Sequence, residues 1–98
     1  MIFARFRVQC RPERTEEMAA AIAAVEAPSR KLPGVIHFDT ARSVTDPHSF
    51  VVLEVFEDRE ALDRQNAQSE VAEVLRLVGD GALTSDYEWA FWEGDRAE

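Results

Sequence analysis

Apolar and polar residues alternate over residues 2–10. Ile2, Ala4, Phe6, Val8 and Cys10 fall on one side, and Phe3, Arg5, Arg7 and Gln9 on the other. A period of two is the signature of a β-strand. Pro12 closes the segment, since proline has no N–H for a strand ladder. From about residue 15 to residue 31 the period lengthens. Met18, Ala21, Ile22 and Val25 recur at i, i+3, i+4 and i+7, the stripe of an amphipathic helix. Glu13, Glu16 and Glu17 lie near its start and Arg30 and Lys31 near its end, as the helix macrodipole favours. Pro28 is expected to kink or end this helix, and Leu32-Pro33-Gly34 to stop it.

Residues 35–42 read as a second strand, with Ile36, Phe38 and Thr40 on one face and Val35, His37, Asp39 and Ala41 on the other. Asp46-Pro47 marks a turn over residues 45–49. In the third strand, residues 50–57, Phe50, Val52, Glu54 and Phe56 oppose Val51, Leu53 and Val55. A strand apolar on both faces is covered on both. Asp58 is placed to cap a short helix over residues 59–65. A further helix begins near Ser69, carries the stripe Val71, Val74, Leu75 and Val78, and ends at Gly79-Asp80-Gly81. Residues 84–93 read as the last strand, with Tyr87, Trp89 and Phe91 opposite Glu88, Ala90 and Trp92.

The order β-α-β-β-α-β predicts an α+β, ferredoxin-like split βαβ fold. Its four-stranded antiparallel sheet carries the helices on one face. Residues 1–93 form the single expected domain and residues 94–98 a polar tail. The other sheet face then holds Phe3, Val35, Val51, Leu53, Val55 and Trp92. A monomer rarely leaves such a patch wet, so a second copy docked sheet to sheet is expected. On this face Arg5 or Arg7 is expected to pair with Glu88 across the first and last strands.

Composition narrows the function classes. Ninety-eight residues, 46% hydrophobic and 31% charged, suffice for one globular core and exclude fibrous or low-complexity readings. No apolar run approaches the roughly 18 residues of a membrane helix. Eleven basic against nineteen acidic residues give a net charge of −8, which argues against nucleic acid as a partner. A lone Cys10 cannot form an internal disulfide, and its default role is a buried, inert thiol. With no leader-like pattern at residue 1, a cytoplasmic location is the expectation. His37 and His48 lack metal-ligand spacing, so no metal site is expected.

Glu54 is the leading candidate for chemistry. Strand parity sets it among Phe50, Val52 and Phe56, where a carboxylate is costly unless paired or protonated. It is either a general base or hydrogen-bond anchor, or a structural acid bonded within the fold. Gln65 and Asn66 lie where the short helix could face a pocket and orient a carbonyl or hydroxyl. Phe6, Phe38, Phe56, Trp89 and Phe91 could line that pocket or simply fill the core.

The chain resembles the antibiotic biosynthesis monooxygenase domain, a family of small dimeric α+β barrel proteins. The resemblance rests on the order of four landmarks: Val8-Gln9-Cys10-Arg11-Pro12-Glu13, Leu32-Pro33-Gly34-Val35, Asp46-Pro47-His48-Ser49-Phe50, and Glu54-Val55-Phe56-Glu57-Asp58-Arg59-Glu60-Ala61-Leu62. It implies a homodimer whose sheets face each other as a barrel, with a pocket between sheet and helices in each protomer. Some members oxidise quinol-type or polycyclic aromatic substrates with molecular oxygen and neither metal nor flavin; others degrade haem. Here Phe56 stands where the family typically has Trp, Gln65 and Glu70 where it often has His, and Phe6 near an Asn position of the haem-degrading members. Without those imidazoles, haem is not an expected ligand, and no cofactor is expected. Two functions follow: a cofactor-independent monooxygenase-like enzyme acting on a small aromatic or quinol-type molecule, or a non-catalytic dimeric module binding a small hydrophobic metabolite.

Overall fold

The computed structural model describes residues 1–97; of the expected tail, Glu98 lies outside them. The elements are β1 (Ile2–Gln9), a 3-10 turn at Pro12–Arg14, α1 (Thr15–Arg30), β2 (Val35–Arg42), β3 (Ser49–Phe56), α2 (Arg59–Asn66), α3 (Ser69–Gly79) and β4 (Glu88–Glu93). The strands form one antiparallel sheet in the order β2-β3-β1-β4. This is the expected split βαβ arrangement. Met18, Ile22 and Val25 of α1 and Val74 and Leu77 of α3 bury against Phe6, Val8, Phe38, Phe50 and Val52 of the sheet. A smaller cluster, Ala4, Phe56, Ala61 and Leu62, seats α2.

Local chemistry explains the element ends. The Asp58 Oδ1 accepts from the Ala61 N–H at 2.9 Å and caps α2. α1 runs through Pro28 and stops two residues later at Arg30. Pro28 has no N–H to give the Ala24 carbonyl one turn back and its ring crowds that oxygen, so the helix loses a ladder bond in its last turns and ends soon after. Gly34 then turns the chain at φ +83°, and its carbonyl accepts from the Glu57 N–H at 2.8 Å.

Two expectations about the sheet need correction. The register shifts between Val35 and His37, so that Val35 pairs with Phe56 and His37 with Val55. A bulge breaks strict alternation. Val35 therefore packs into both clusters on the helix side rather than on the open face, and Ile36 is left 40% exposed. The last strand is also shorter than the alternation over residues 84–93 suggested. Cys10 bridges Leu83 while Arg7 pairs with Glu88. Three steps over residues 7–10 thus face five along the returning chain; Thr84 still donates its N–H to the Gln9 carbonyl at 2.9 Å, and regular pairing resumes only at Glu88.

The open face keeps Phe3, Val51, Leu53, Val55 and Trp92, with Leu53 51% and Trp92 54% exposed. The expected cross-strand pair is present: Arg7 Nε lies 3.9 Å from Glu88 Oε2. Among the described residues, no helix is long and apolar enough to cross a membrane.

Candidate functional site

A cavity of about 250 Å³ opens between the sheet and the helices. The sheet contributes Phe6, Phe38, Val52, Glu54 and Trp89, and Tyr87 stands just before β4. Ile22 and Val25 of α1, Gln65 and Asn66 at the end of α2, and Val71, Val74 and Leu75 of α3 complete the lining. Phe6 anchors an aromatic wall, packed edge-on to Trp89 at 5.2 Å and tilted against Tyr87 at 5.4 Å between ring centroids. The volume lies between the roughly 150 Å³ of a benzene-sized void and the roughly 300 Å³ at which drug-sized pockets begin. It suits a molecule of one or two rings.

Glu54 brings the only acid to this lining. In the ladders it sits between Ala4 of β1 and Phe38 of β2, and it is 4% exposed. Burial pushes its carboxyl from the usual range near 4.5 up to about 8, with no offsetting hydrogen bond or positive charge. At neutral pH it is therefore mostly protonated. No Arg, Lys or His is among the lining residues, so nothing there neutralises an anionic ligand.

Gln65 is 2% exposed and firmly held. Gln68 Nε2 donates to Gln65 Oε1 at 2.9 Å and to Ser29 Oγ at 3.0 Å. Ser29 Oγ in turn donates to the Val25 carbonyl at 2.6 Å. Asn66, next along α2, is exposed at the cavity rim.

The structure brings Phe6, Phe38, Glu54, Gln65, Asn66 and Trp89 together around one space. Phe56 is not part of it. It is fully buried in the cluster with Ala4, Ala61 and Leu62, because α2 packs down on the sheet at that end of β3. Phe91 also stands outside the lining, 4.9 Å from the Trp89 ring and 45% exposed. Sequence reasoning missed Tyr87 as a wall residue and missed the Ser29–Gln68 support. Gln68 is the extended N-cap residue of α3, so the short turn after α2, not a shared helical face, brings it back to Gln65. Ser29 joins them only through the packing of α1.

The remaining candidates lie elsewhere. Cys10 is buried in the main core, and desolvation raises its thiol. His48 Nδ1 is 2.8 Å from Thr15 Oγ1, a contact that ties the β2–β3 turn to α1. His37 is exposed on the open face. No group of three or more His, Cys, Asp or Glu among the described residues could hold a metal ion.

The family model for antibiotic biosynthesis monooxygenases matches residues 1–76. The chain belongs to the antibiotic biosynthesis monooxygenase family. The match includes Glu54 and Gln65 and stops before Tyr87 and Trp89. Solved structures agree on the fold over nearly the whole chain. Rv0793 from Mycobacterium tuberculosis superposes with a TM-score of 0.87 at 22% identity, covering 99% of this chain and 98% of its own. A Nitrosomonas europaea protein named for the same family gives a TM-score of 0.86 at 20% identity, covering 96% and 98%. PA3566 from Pseudomonas aeruginosa gives 0.80 at 23% identity, covering 97% and 94%. No curated protein matches the chain.

Proposed function

We propose that the protein is a cofactor-independent monooxygenase-like enzyme that oxidises a small aromatic or quinol-type molecule in the cavity beneath α1 and α3. The observation that carries this reading is Glu54, a buried carboxyl without a partner among the described residues, facing a space walled by Phe6, Phe38 and Trp89. A phenolic hydroxyl bound there gives its proton to ionised Glu54. The electron-rich anion left behind reacts with molecular oxygen. The chain's part is to bind the ring, exclude water and receive the proton. Oxygen consumption over a panel of hydroquinones tests this, comparing the protein with Glu54→Gln. Turnover falling roughly 10²–10⁴-fold in the variant supports the base role; equal rates overturn it.

The protein acts, in this reading, as a homodimer joined through the open sheet face. Leu53 and Trp92 are half-exposed there. A second copy docked on this face would take that apolar surface out of water. The lone, buried Cys10 fits a reducing, cytoplasmic setting.

A second reading is a non-catalytic module that binds a small hydrophobic metabolite. Gln65, at a position where relatives often carry an imidazole, favours it, as does an acid mostly protonated at neutral pH. Ligand-induced thermal stabilisation without oxygen uptake distinguishes this reading from the first.

A further inference from the structure

The two ends of the Gln65 amide are not equivalent. The Val25 carbonyl can only accept, so the Ser29 hydroxyl gives its proton there. Ser29 Oγ is then left to accept from Gln68. Gln68 Nε2 also points at the Gln65 backbone carbonyl, 3.4 Å away, which again can only accept. The Gln68 amide nitrogen is therefore fixed toward Ser29 and Gln65, and the Gln65 side-chain oxygen is fixed toward Gln68 at 2.9 Å. The Gln65 NH2 group is the end left over, on a residue that lines the cavity.

We propose that Gln68 is a positioning residue that locks the Gln65 amide with its NH2 toward the cavity, so that the site selects neutral molecules presenting a carbonyl-type acceptor oxygen. The inference deepens the assignment of this cavity as the ligand site and rests on it. It also divides the labour within the site. Glu54 meets a hydroxyl proton, whereas Gln65 meets a carbonyl oxygen. The absence of Arg, Lys and His from the lining excludes carboxylates and phosphates as the acceptor. The amide instead recognises uncharged carbonyl oxygen.

The relay can be inverted by one atom pair. A carboxylate at position 68 can only accept, so in Gln68→Glu the Gln65 NH2 turns to face it and the Gln65 oxygen turns to the cavity. Two probes of nearly equal shape read the result by calorimetry or fluorescence quenching: 1-tetralone, with one carbonyl oxygen, and tetralin, with none. The unsubstituted protein is expected to bind 1-tetralone roughly three- to tenfold more tightly than tetralin, the size of one neutral hydrogen bond. Q68E should abolish or reverse that preference while leaving tetralin affinity within about twofold. Gln65→Met, which removes the amide and keeps the volume, should equalise the two probes and covers the case in which Q68E fails to fold. An unsubstituted protein that binds neither probe or shows no ketone preference overturns the proposal, as does a Q65M or folded Q68E protein that keeps the preference unchanged. Binding is read here without turnover. Retained ketone selectivity with no oxygen uptake would reject the oxidative reading and leave this one standing.

Discussion

Glu54 stands directly opposite Phe38 across the β2–β3 ladder, a carboxyl and an aromatic ring on the same side of the sheet and in the same cavity wall. The proton on that carboxyl links site chemistry to stability. Its value of about 8 exceeds the ordinary 4.5, so the folded chain holds the proton more tightly than the unfolded chain does. For this group, stability is fully present below pH about 4.5 and is lost as pH rises through about 8. Glu54→Gln removes the titration. Its unfolding free energy relative to the unsubstituted protein should be similar at pH 5 and higher by a few kcal/mol at pH 9. Denaturant unfolding at the two pH values checks this, and a pH-independent difference would rule it out.

The same ionisation sets a rate profile. Only ionised Glu54 can accept a proton, so turnover of a hydroquinone at saturating concentration should climb through pH about 8 and then level off. Initial-rate oxygen consumption from pH 6 to 9.5, corrected for uncatalysed oxidation, gives the curve. A profile flat across that range would remove Glu54 as the base.

The Arg7–Glu88 pair guides register more than it stabilises. In a single chain its side chains are 51% and 62% exposed, and ion pairs in such a setting contribute about 0–1 kcal/mol. A double-mutant cycle with Arg7→Ala and Glu88→Ala should return a coupling under about 1 kcal/mol that shrinks further in 1 M salt.

Leu53 tests the sheet-to-sheet assembly. Light scattering at micromolar concentration should give twice the chain mass of 11.1 kDa. Leu53→Arg, at a position half open in one chain, should shift that mass toward the monomer and leave far-ultraviolet circular dichroism intact. A monomeric unsubstituted protein would contradict the assembly.

Haem should find no axial ligand. Gln65 is a poor donor to iron, and the cavity lining holds no imidazole. Titration with hemin should give no sharp Soret shift at one equivalent. A coordinated one-to-one complex would refute this.

Much of the architecture was legible in the residue pattern, because periods of two and of 3.6 switch cleanly along the chain. The failures lie where geometry departs from a period. Val35 reads as an open-face residue until the bulge turns it inward. Tyr87 reads as a strand residue, yet it sits in the looped segment forced by the mismatch between the Cys10–Leu83 bridge and the Arg7–Glu88 pair. Parity placed Glu54 correctly, since β3 is regular throughout. Parity also suggested Phe56 as a wall residue, because it says which side a residue takes and nothing about which helix covers it. The role of Gln68 depends on Ser29, thirty-nine positions away, and no local pattern announces such a partner.

Gly34 carries a different kind of information. A Cβ at this position would lie 2.6 Å from the Cβ of Ala61, and φ there is +83°. Any side chain at 34 would have to displace α2 and hold a left-handed backbone at once. The Pro33-Gly34 corner and the Ala61-Leu62 pair that it abuts are therefore coupled parts of one joint, although they are distant in sequence. Both are also among the landmarks by which the chain resembles its relatives. Resemblance built on such a joint reports the shape of the scaffold around α2 and is blind to whatever molecule the cavity holds. Two relatives could share it entirely and still act on different compounds.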